Sequence, residues 1–318
     1  MGIKLAFMAT ATFALPSLNA LFEAGFNITA VLTQPDKPGG RGQALQWPPI
    51  KKRAFDLHLP IYQPDSLKTD EARQLIGALA PDLIVVVAYG KILPPWLLEF
   101  PRYGCINLHG SFLPKYRGAA PVHWAVANGE EKTGVCTMLL DAGLDTGPVF
   151  LSEETAIQPD ETTAQLYERL AMMGAPLLIR TIEGIAAGNL KPQPQDHSQA
   201  TAAPSLKKAD GFLNWAWPAG KVHNRVRAFN PWPGALTGFR EGTCKILKTS
   251  IGMQDNLPQA EPGAIVSVKG RLIAVCGDRK PLEILLIQPE NRKAVAGVDF
   301  ANGVRIQAGE KFRSLADN

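Results

Sequence analysis

The chain has 318 residues, 46% of them apolar and 19% charged, a mix that excludes global disorder. At about 150 residues per domain the length predicts two domains. The net charge of +4 is small but unevenly spread: residues 1–204 carry 16 basic and 19 acidic side chains, residues 205–318 carry 17 and 10, so only the second part suits a polyanionic partner.

The strongest apolar run, Leu83 to Ala88, is far short of the roughly 20 residues that span a bilayer. The start enters a strand-like run with no leader pattern, and Ala6 stands where a myristoylation signal wants Ser or Thr. Cys105, Cys136, Cys244 and Cys276 form no C-x-x-C pair and read as reduced thiols. A cytoplasmic chain with no membrane contact is expected.

Ile3 to Met8 reads as a strand, Phe13 to Ala24 as a helix stopped by Gly25, and Ile28 to Thr33 as a second strand. Thr69 to Ala80 reads as a helix with Asp70 and Glu71 in its first turn, where they suit the helix dipole. Asp82 to Ala88 has the unbroken Leu/Ile/Val character of a strand buried on both faces. Cys105 to Leu108 and Val135 to Leu140 are further strands, and Thr162 to Ala187 is a long helix. The alternation predicts an α/β domain over 1–187, an open and mostly parallel sheet with helices on both faces. Residues 188–204, with Pro192, Pro194 and Pro204 and no apolar periodicity, read as a linker. In 205–318, the short runs Cys244 to Leu247, Gly263 to Val268, Arg271 to Cys276 and Leu282 to Ile287 predict a small barrel or sandwich.

Several chemistries lack their motifs. Gly40-x-Gly42-x-x-Leu45 misses the last glycine of a dinucleotide loop, and neither Gly90-Lys91 nor Gly220-Lys221 sits in a nucleotide P-loop. There is no G-x-S-x-G elbow and no H-E-x-x-H helix. His58, His123, His197 and His223 are scattered without companion ligands, so no metal site is expected.

What remains is Asn107-Leu108-His109-Gly110-Ser111 at a strand end, where ligands of open α/β sheets bind. Strand alternation places Asn107 and His109 on one face. Asp145 follows the next strand in the loop Gly143-Leu144-Asp145-Thr146-Gly147. Taken singly, a histidine after a strand is most often structural, and an aspartate between glycines most often forms a turn. Together the three make an acyl-transfer set: an amide and an imidazole to donate to a developing oxyanion, and a carboxylate to support a charged imidazole. No Ser or Cys is paired with a base, which suits direct attack by an acceptor amine.

At these residues the chain resembles the folate-dependent formyltransferases, whose shared pattern stands here as Asn107-Leu108-His109, Ser111-Phe112-Leu113-Pro114 and Gly143-Leu144-Asp145-Thr146-Gly147. Two further stretches resemble the branch that acts on methionyl initiator tRNA. One is the basic loop from Thr33 through Arg41 to Gly42, and the other is Arg227-Ala228-Phe229-Asn230-Pro231-Trp232-Pro233.

The resemblance implies a Rossmann-like domain that takes 10-formyltetrahydrofolate and a C-terminal OB-like β-barrel with a basic face for tRNA. It implies catalytic roles for Asn107, His109 and Asp145, a tetrahydrofolate pocket lined by Ser111, Phe112, Leu113 and Pro114, and a tRNA contact at Arg41. No metal and a monomer are expected. Trp232, between prolines, reads as a packed hinge. The family opens with Phe-x-Gly-Thr-Pro-x-Phe where this chain has Phe7-Met8-Ala9-Thr10-Ala11-Thr12-Phe13, which alters the first strand-to-helix turn. Two other readings remain at this point: formyl transfer to a small amine such as an amino sugar nucleotide or glycinamide ribonucleotide, and an inactive RNA-binding relative.

Overall fold

The computed structural model describes residues 2–39, 43–251, 260–268 and 270–315. Arg41, with Gly40 and Gly42, lies outside them. The chain divides into two compact units: Met1–Pro121, Lys132–Thr155 and Tyr167–Pro204 form the first, and Val122–Glu131, Ala156–Leu166 and Ser205–Asn318 the second. Among the described residues no helix is long and apolar enough to cross a membrane.

In chain order the first half contains β1 (Lys4–Ala9), α1 (Leu15–Glu23), β2 (Asn27–Leu32), the hairpin β3 (Lys37–Gly39) and β4 (Ala44–Gln46), α2 (Pro49–Asp56), β5 (Ile61–Tyr62) and α3 (Asp70–Leu79). It continues with β6 (Leu83–Val87), α4 (Pro95–Glu99), β7 (Cys105–His109), α5 (Pro121–Ala127), β8 (Lys132–Leu139), β9 (Val149–Ala156) and α6 (Thr163–Ala186). The elements follow local chemistry. Thr69 caps α3 by accepting from Ala72 N–H, Asp70 and Glu71 follow in the first turn, and the helix stops where Ala80 turns left-handed. Every residue of β6 is buried, as its unbroken apolar run predicts.

The seven strands pair in the order β5-β2-β1-β6-β7-β8-β9. The pairs from β5 through β7 are parallel, whereas β8 is antiparallel to β7, with Ile106 opposite Leu139 and His109 opposite Cys136. The domain is therefore Rossmann-like, with a mostly parallel sheet. The chain leaves β1 for β2 on one side and later returns to β6 on the other, which opens a crevice at the carboxyl ends of these strands. There the altered first turn is closed by Thr10, whose hydroxyl donates to Tyr89 O at 2.8 Å; the Gln34 amide also donates to that carbonyl. Ala9 is fully buried at the end of β1.

Residues 188–204, expected as a linker, are fastened to the first unit. Gln193 bridges Val149, Ala202 bridges Arg117, and Ala203 exchanges backbone hydrogen bonds with Arg117 and Ala120. An extended polar segment satisfies its backbone this way without apolar periodicity.

The second unit adds α7 (Ala219–Phe229), β10 (Ala235–Phe239), β11 (Gly242–Ser250), β12 (Ile265–Val268), β13 (Arg271–Val275), β14 (Pro281–Pro289), β15 (Val295–Ala296), α8 (Gly297–Val304) and β16 (Phe312–Arg313). Its antiparallel ladder runs β12-β13-β14-β11-β10-β16, with β15 beside β14. The ladder is not continuous around a barrel: next to β12 and β16 the contact is the isolated bridge Ala264–Lys311. Trp215 stacks on Phe312 with centroids 5.4 Å apart and donates to Thr237 Oγ1, within a core that draws on α7, α8 and strands β10 to β14 and β16. Trp232 is not a packed hinge, since it is 57% exposed. The tie is made by Asn230, whose amide reaches the carbonyls of Val226, Ile246 and Leu247 and so holds the end of α7 to β11.

Candidate active site

β7 carries Asn107 and His109 to its carboxyl end, both buried. A carbonyl only accepts, so the 3.0 Å contact between His109 Nε2 and Tyr116 O places the ring proton on Nε2. Nδ1 lies 3.8 Å from Asp145 Oδ2, longer than a hydrogen bond. The Asn107 amide has no hydrogen-bond partner among the described residues, so its donors remain for a ligand.

Asp145 arrives by an unexpected route. Because β8 runs against β7, its carboxyl end lies beside the start of β7, away from His109. The following loop doubles back to bring the carboxylate to the imidazole. Asp145 itself adopts a left-handed conformation (φ 52°), which Asp tolerates better than most side chains. A methyl group at Gly147 would collide with Leu139 O, so only glycine lets the loop lie this close to its own strand. Gly118 N–H donates to Asp145 Oδ2 at 2.8 Å and fixes the carboxylate.

Gln195 holds the loop from outside. Its amide donates to Asp145 O at 2.9 Å and Gly147 O at 2.7 Å, while its Oε1 accepts from Arg117. Gln195, Gly118 and Tyr116 are the residues that sequence reasoning missed. Gln195 lies 50 residues from Asp145, and no local pattern announces it.

The turn after β7 separates its four expected pocket residues. Ser111 is fully buried and donates to Lys115 O at 2.7 Å, so its hydroxyl closes the turn. Leu113 packs on Cys136 and Met138. Phe112 is 40% exposed, and its ring lies over Gly134, where a Cβ would come within 3.1 Å of it. Phe112 is thus the most exposed member of the turn, and Pro114 is half-buried.

Cys136 lies across from His109 but is no nucleophile: burial pushes its thiol up to about 12, with the Asp145 charge adding to the effect and a hydrogen bond to the Leu113 backbone opposing it. All four cysteines are buried free thiols. The arrangement supplies hydrogen-bond donors and one titratable nitrogen backed by a carboxylate. It can stabilise an oxyanion and move a proton, and it offers no covalent nucleophile.

Residues 3–182 match the formyl transferase family, and residues 205–305 match the formyl transferase C-terminal domain. The methionyl-tRNA formyltransferase of Acidobacterium capsulatum is 46% identical over 302 residues, covering 95% of this chain and 96% of its own. That of Solibacter usitatus is 44% identical and covers 98% of each chain. Among solved structures, a sugar 3N-formyl transferase determined with dTDP and 5-N-formyl-THF superposes with a TM-score of 0.66 at 17% identity, covering 92% of this chain and all of its own; at that identity the likeness concerns the fold. With both family domains matched in order and near full-length relatives well above 40% identity, the chain belongs to the folate-dependent formyltransferases, in the methionyl-tRNA formyltransferase branch.

Proposed function

We propose that the chain transfers the formyl group of 10-formyltetrahydrofolate to the α-amino group of methionine carried by initiator tRNA, for translation initiation. The observation that carries the chemistry is His109 Nδ1 facing the Asp145 carboxylate at 3.8 Å, next to an Asn107 amide with unspent donors. In the reaction the amine lone pair forms the new C–N bond and the bond to folate N10 breaks. One proton leaves the amine and one reaches N10.

Each residue of the set takes one part. Asn107 donates to the formyl oxygen as charge develops on it. His109, oriented by Nε2–H to Tyr116 O, holds or relays the proton at Nδ1. Asp145, fixed by Gly118 N–H, stabilises the proton on Nδ1 electrostatically. Phe112 and Pro114 offer the tetrahydrofolate ring an apolar wall, and Ser111 and Leu113 shape the turn that carries them.

The tRNA assignment draws on the two near full-length relatives and on the basic character of residues 205–318. Arg41, outside the described residues, is assigned to the acceptor end of the tRNA. The second unit is read as an OB-like barrel, a reading supported by the bridge between Ala264 and Lys311. The protein is read as a cytoplasmic monomer with a catalytic part to residue 187 and a tRNA-binding part from 205.

Purified protein with the formyl donor and charged initiator tRNA is expected to yield formylmethionyl-tRNA, and His109→Ala to lose most of the turnover. Turnover of that variant at the wild-type rate would refute the mechanism. Preference for a small amine over charged tRNA would refute the substrate assignment.

A further inference from the structure

Arg225 is packed among aromatic rings with a buried donor left unpaired. It lies on α7, half-buried, with its guanidinium carbon 5.4 Å from the Trp124 ring centroid, 5.3 Å from that of Trp217 and 5.3 Å from that of Phe229. Trp124 and Phe229 also meet edge to face at 5.8 Å, so the box is built independently of the arginine. Arg225 Nε is buried without a hydrogen-bond partner, and the guanidinium makes no hydrogen bond among the described residues. Arg227, on the same helix, shows the usual arrangement: it donates to Asn224 Oδ1 and to the Gln158 and Glu161 carbonyls.

A guanidinium nitrogen buried without an acceptor carries a desolvation cost, and in Arg225 that nitrogen is Nε. Three aromatic rings crowd the guanidinium carbon, and the N–H edge carries its hydrogen-bonding capacity. An arginine edge is a fork of N–H donors at the spacing of two phosphate oxygens. Lys221, one turn earlier on α7 and exposed, lies 4.6 Å over the Trp217 ring and adds a second cation to the same place. Asp210 is the acid that acts on Arg225, and its carboxylate is occupied by Lys207 N–H. Arg225, Lys221, Trp217 and Phe229 belong to residues 205–318, the part with the basic excess, whereas Trp124 comes from the earlier stretch Val122–Glu131 of the same unit.

We propose that Arg225, packed against Trp124, Trp217 and Phe229, is a preformed site for a phosphodiester oxygen of the tRNA backbone, with Lys221 as its auxiliary cation. The proposal rests on the reading of tRNA as substrate. A phosphate contact from a pre-oriented guanidinium adds affinity irrespective of base sequence and makes binding steeper in salt.

The test is the affinity of the full-length chain for methionyl initiator tRNA, measured by filter retention across a series of salt concentrations. Thermal melting and binding of 10-formyltetrahydrofolate serve as controls for folding. Arg225→Met keeps the aliphatic stem in the box and removes the fork. It is expected to weaken tRNA binding about tenfold and to make the slope of log K against log salt shallower by about one. Arg225→Gln, which keeps a planar polar group without charge, is expected to lose the same increment and gives the answer if the methionine variant misfolds. Folded variants with wild-type affinity and slope would overturn the site. A wild type that fails to formylate charged initiator tRNA would sink the substrate reading instead, and the binding series would still decide Arg225.

Discussion

Asp145→Asn removes the charge opposite His109 while leaving an amide oxygen that can still accept from Gly118 N–H, so the loop keeps its anchor. What is lost is the attraction between the carboxylate and a proton on Nδ1 across 3.8 Å. Both side chains are largely shielded from solvent, with 6% of His109 and 12% of Asp145 exposed, so screening is weak. With an effective dielectric constant of about 20, two unit charges at that distance interact by about 4 kcal/mol, equivalent to roughly a thousandfold in rate if the charged imidazole forms in the transition state. The assay is kcat for formylmethionyl-tRNA at saturating formyl donor, with thermal melting to show that the fold survives. A folded variant within tenfold of the wild-type kcat would refute the reasoning, because the carboxylate would then act only as a turn residue.

Three other outcomes follow from the same geometry. Gln195→Ala leaves the carbonyls of Asp145 and Gly147 without their donor; at about 1 kcal/mol per hydrogen bond, a loss of about 2 kcal/mol in chemical denaturation and at least tenfold in kcat is expected, and an unchanged kcat would show that the loop holds itself. Gly118→Ala forces a side chain onto a backbone at φ +125° with its Cβ 2.5 Å from Ala203 O, so Tm is expected to fall by roughly 5 °C and kcat with it; a variant melting like the wild type would count against the strain. Burial holds His223 below its ordinary value of about 6.5, aided by the Arg227 charge and only partly opposed by a hydrogen bond to the Pro159 backbone and by the Asp160 carboxylate. The unfolded chain therefore binds this proton first: its stabilising contribution is complete above about pH 6.5 and is lost as pH falls toward the folded value. His223→Gln is expected to flatten the decline of Tm between pH 7.5 and 5.5, and an equally steep decline would place the titration elsewhere.

The sequence was most legible where one residue type dominates a local choice. The run Leu83–Val87 could only be a strand buried on both faces, and Thr69 with Asp70 and Glu71 could only open a helix. Strand alternation also sufficed to put Asn107 and His109 on one face. Legibility failed where structure depends on partners far along the chain. Nothing within residues 188–204 marks Gln193 or Ala202 as bridging partners, because extended backbone pairs through groups that every residue carries. Helices α7 and α8 open after Pro218 and Ala296 with no side-chain cap to announce them, and the tryptophan of the Asn230–Pro233 motif drew attention from Asn230, which makes the tie.

The reversal of one strand has the largest consequence for the site. Had β8 been parallel to β7, a loop after it would have met His109 directly, as two adjacent carboxyl ends would. With β8 antiparallel, the acid must be carried back along the sheet, and the sequence reflects that demand in a glycine at 147 that lets the loop touch its own strand and an aspartate that accepts a left-handed backbone. A loop bent this way has no strand ladder of its own at Asp145, so its position is fixed by hydrogen bonds from elsewhere, Gly118 N–H on the carboxylate and Gln195 on the backbone. The geometry that matters for the proton on Nδ1 is thus held by residues outside the set Asn107, His109 and Asp145. Their substitution should alter kcat in proportion to how far the carboxylate moves from the imidazole, while Asn107 and His109, held by the ladder of β7, stay where they are.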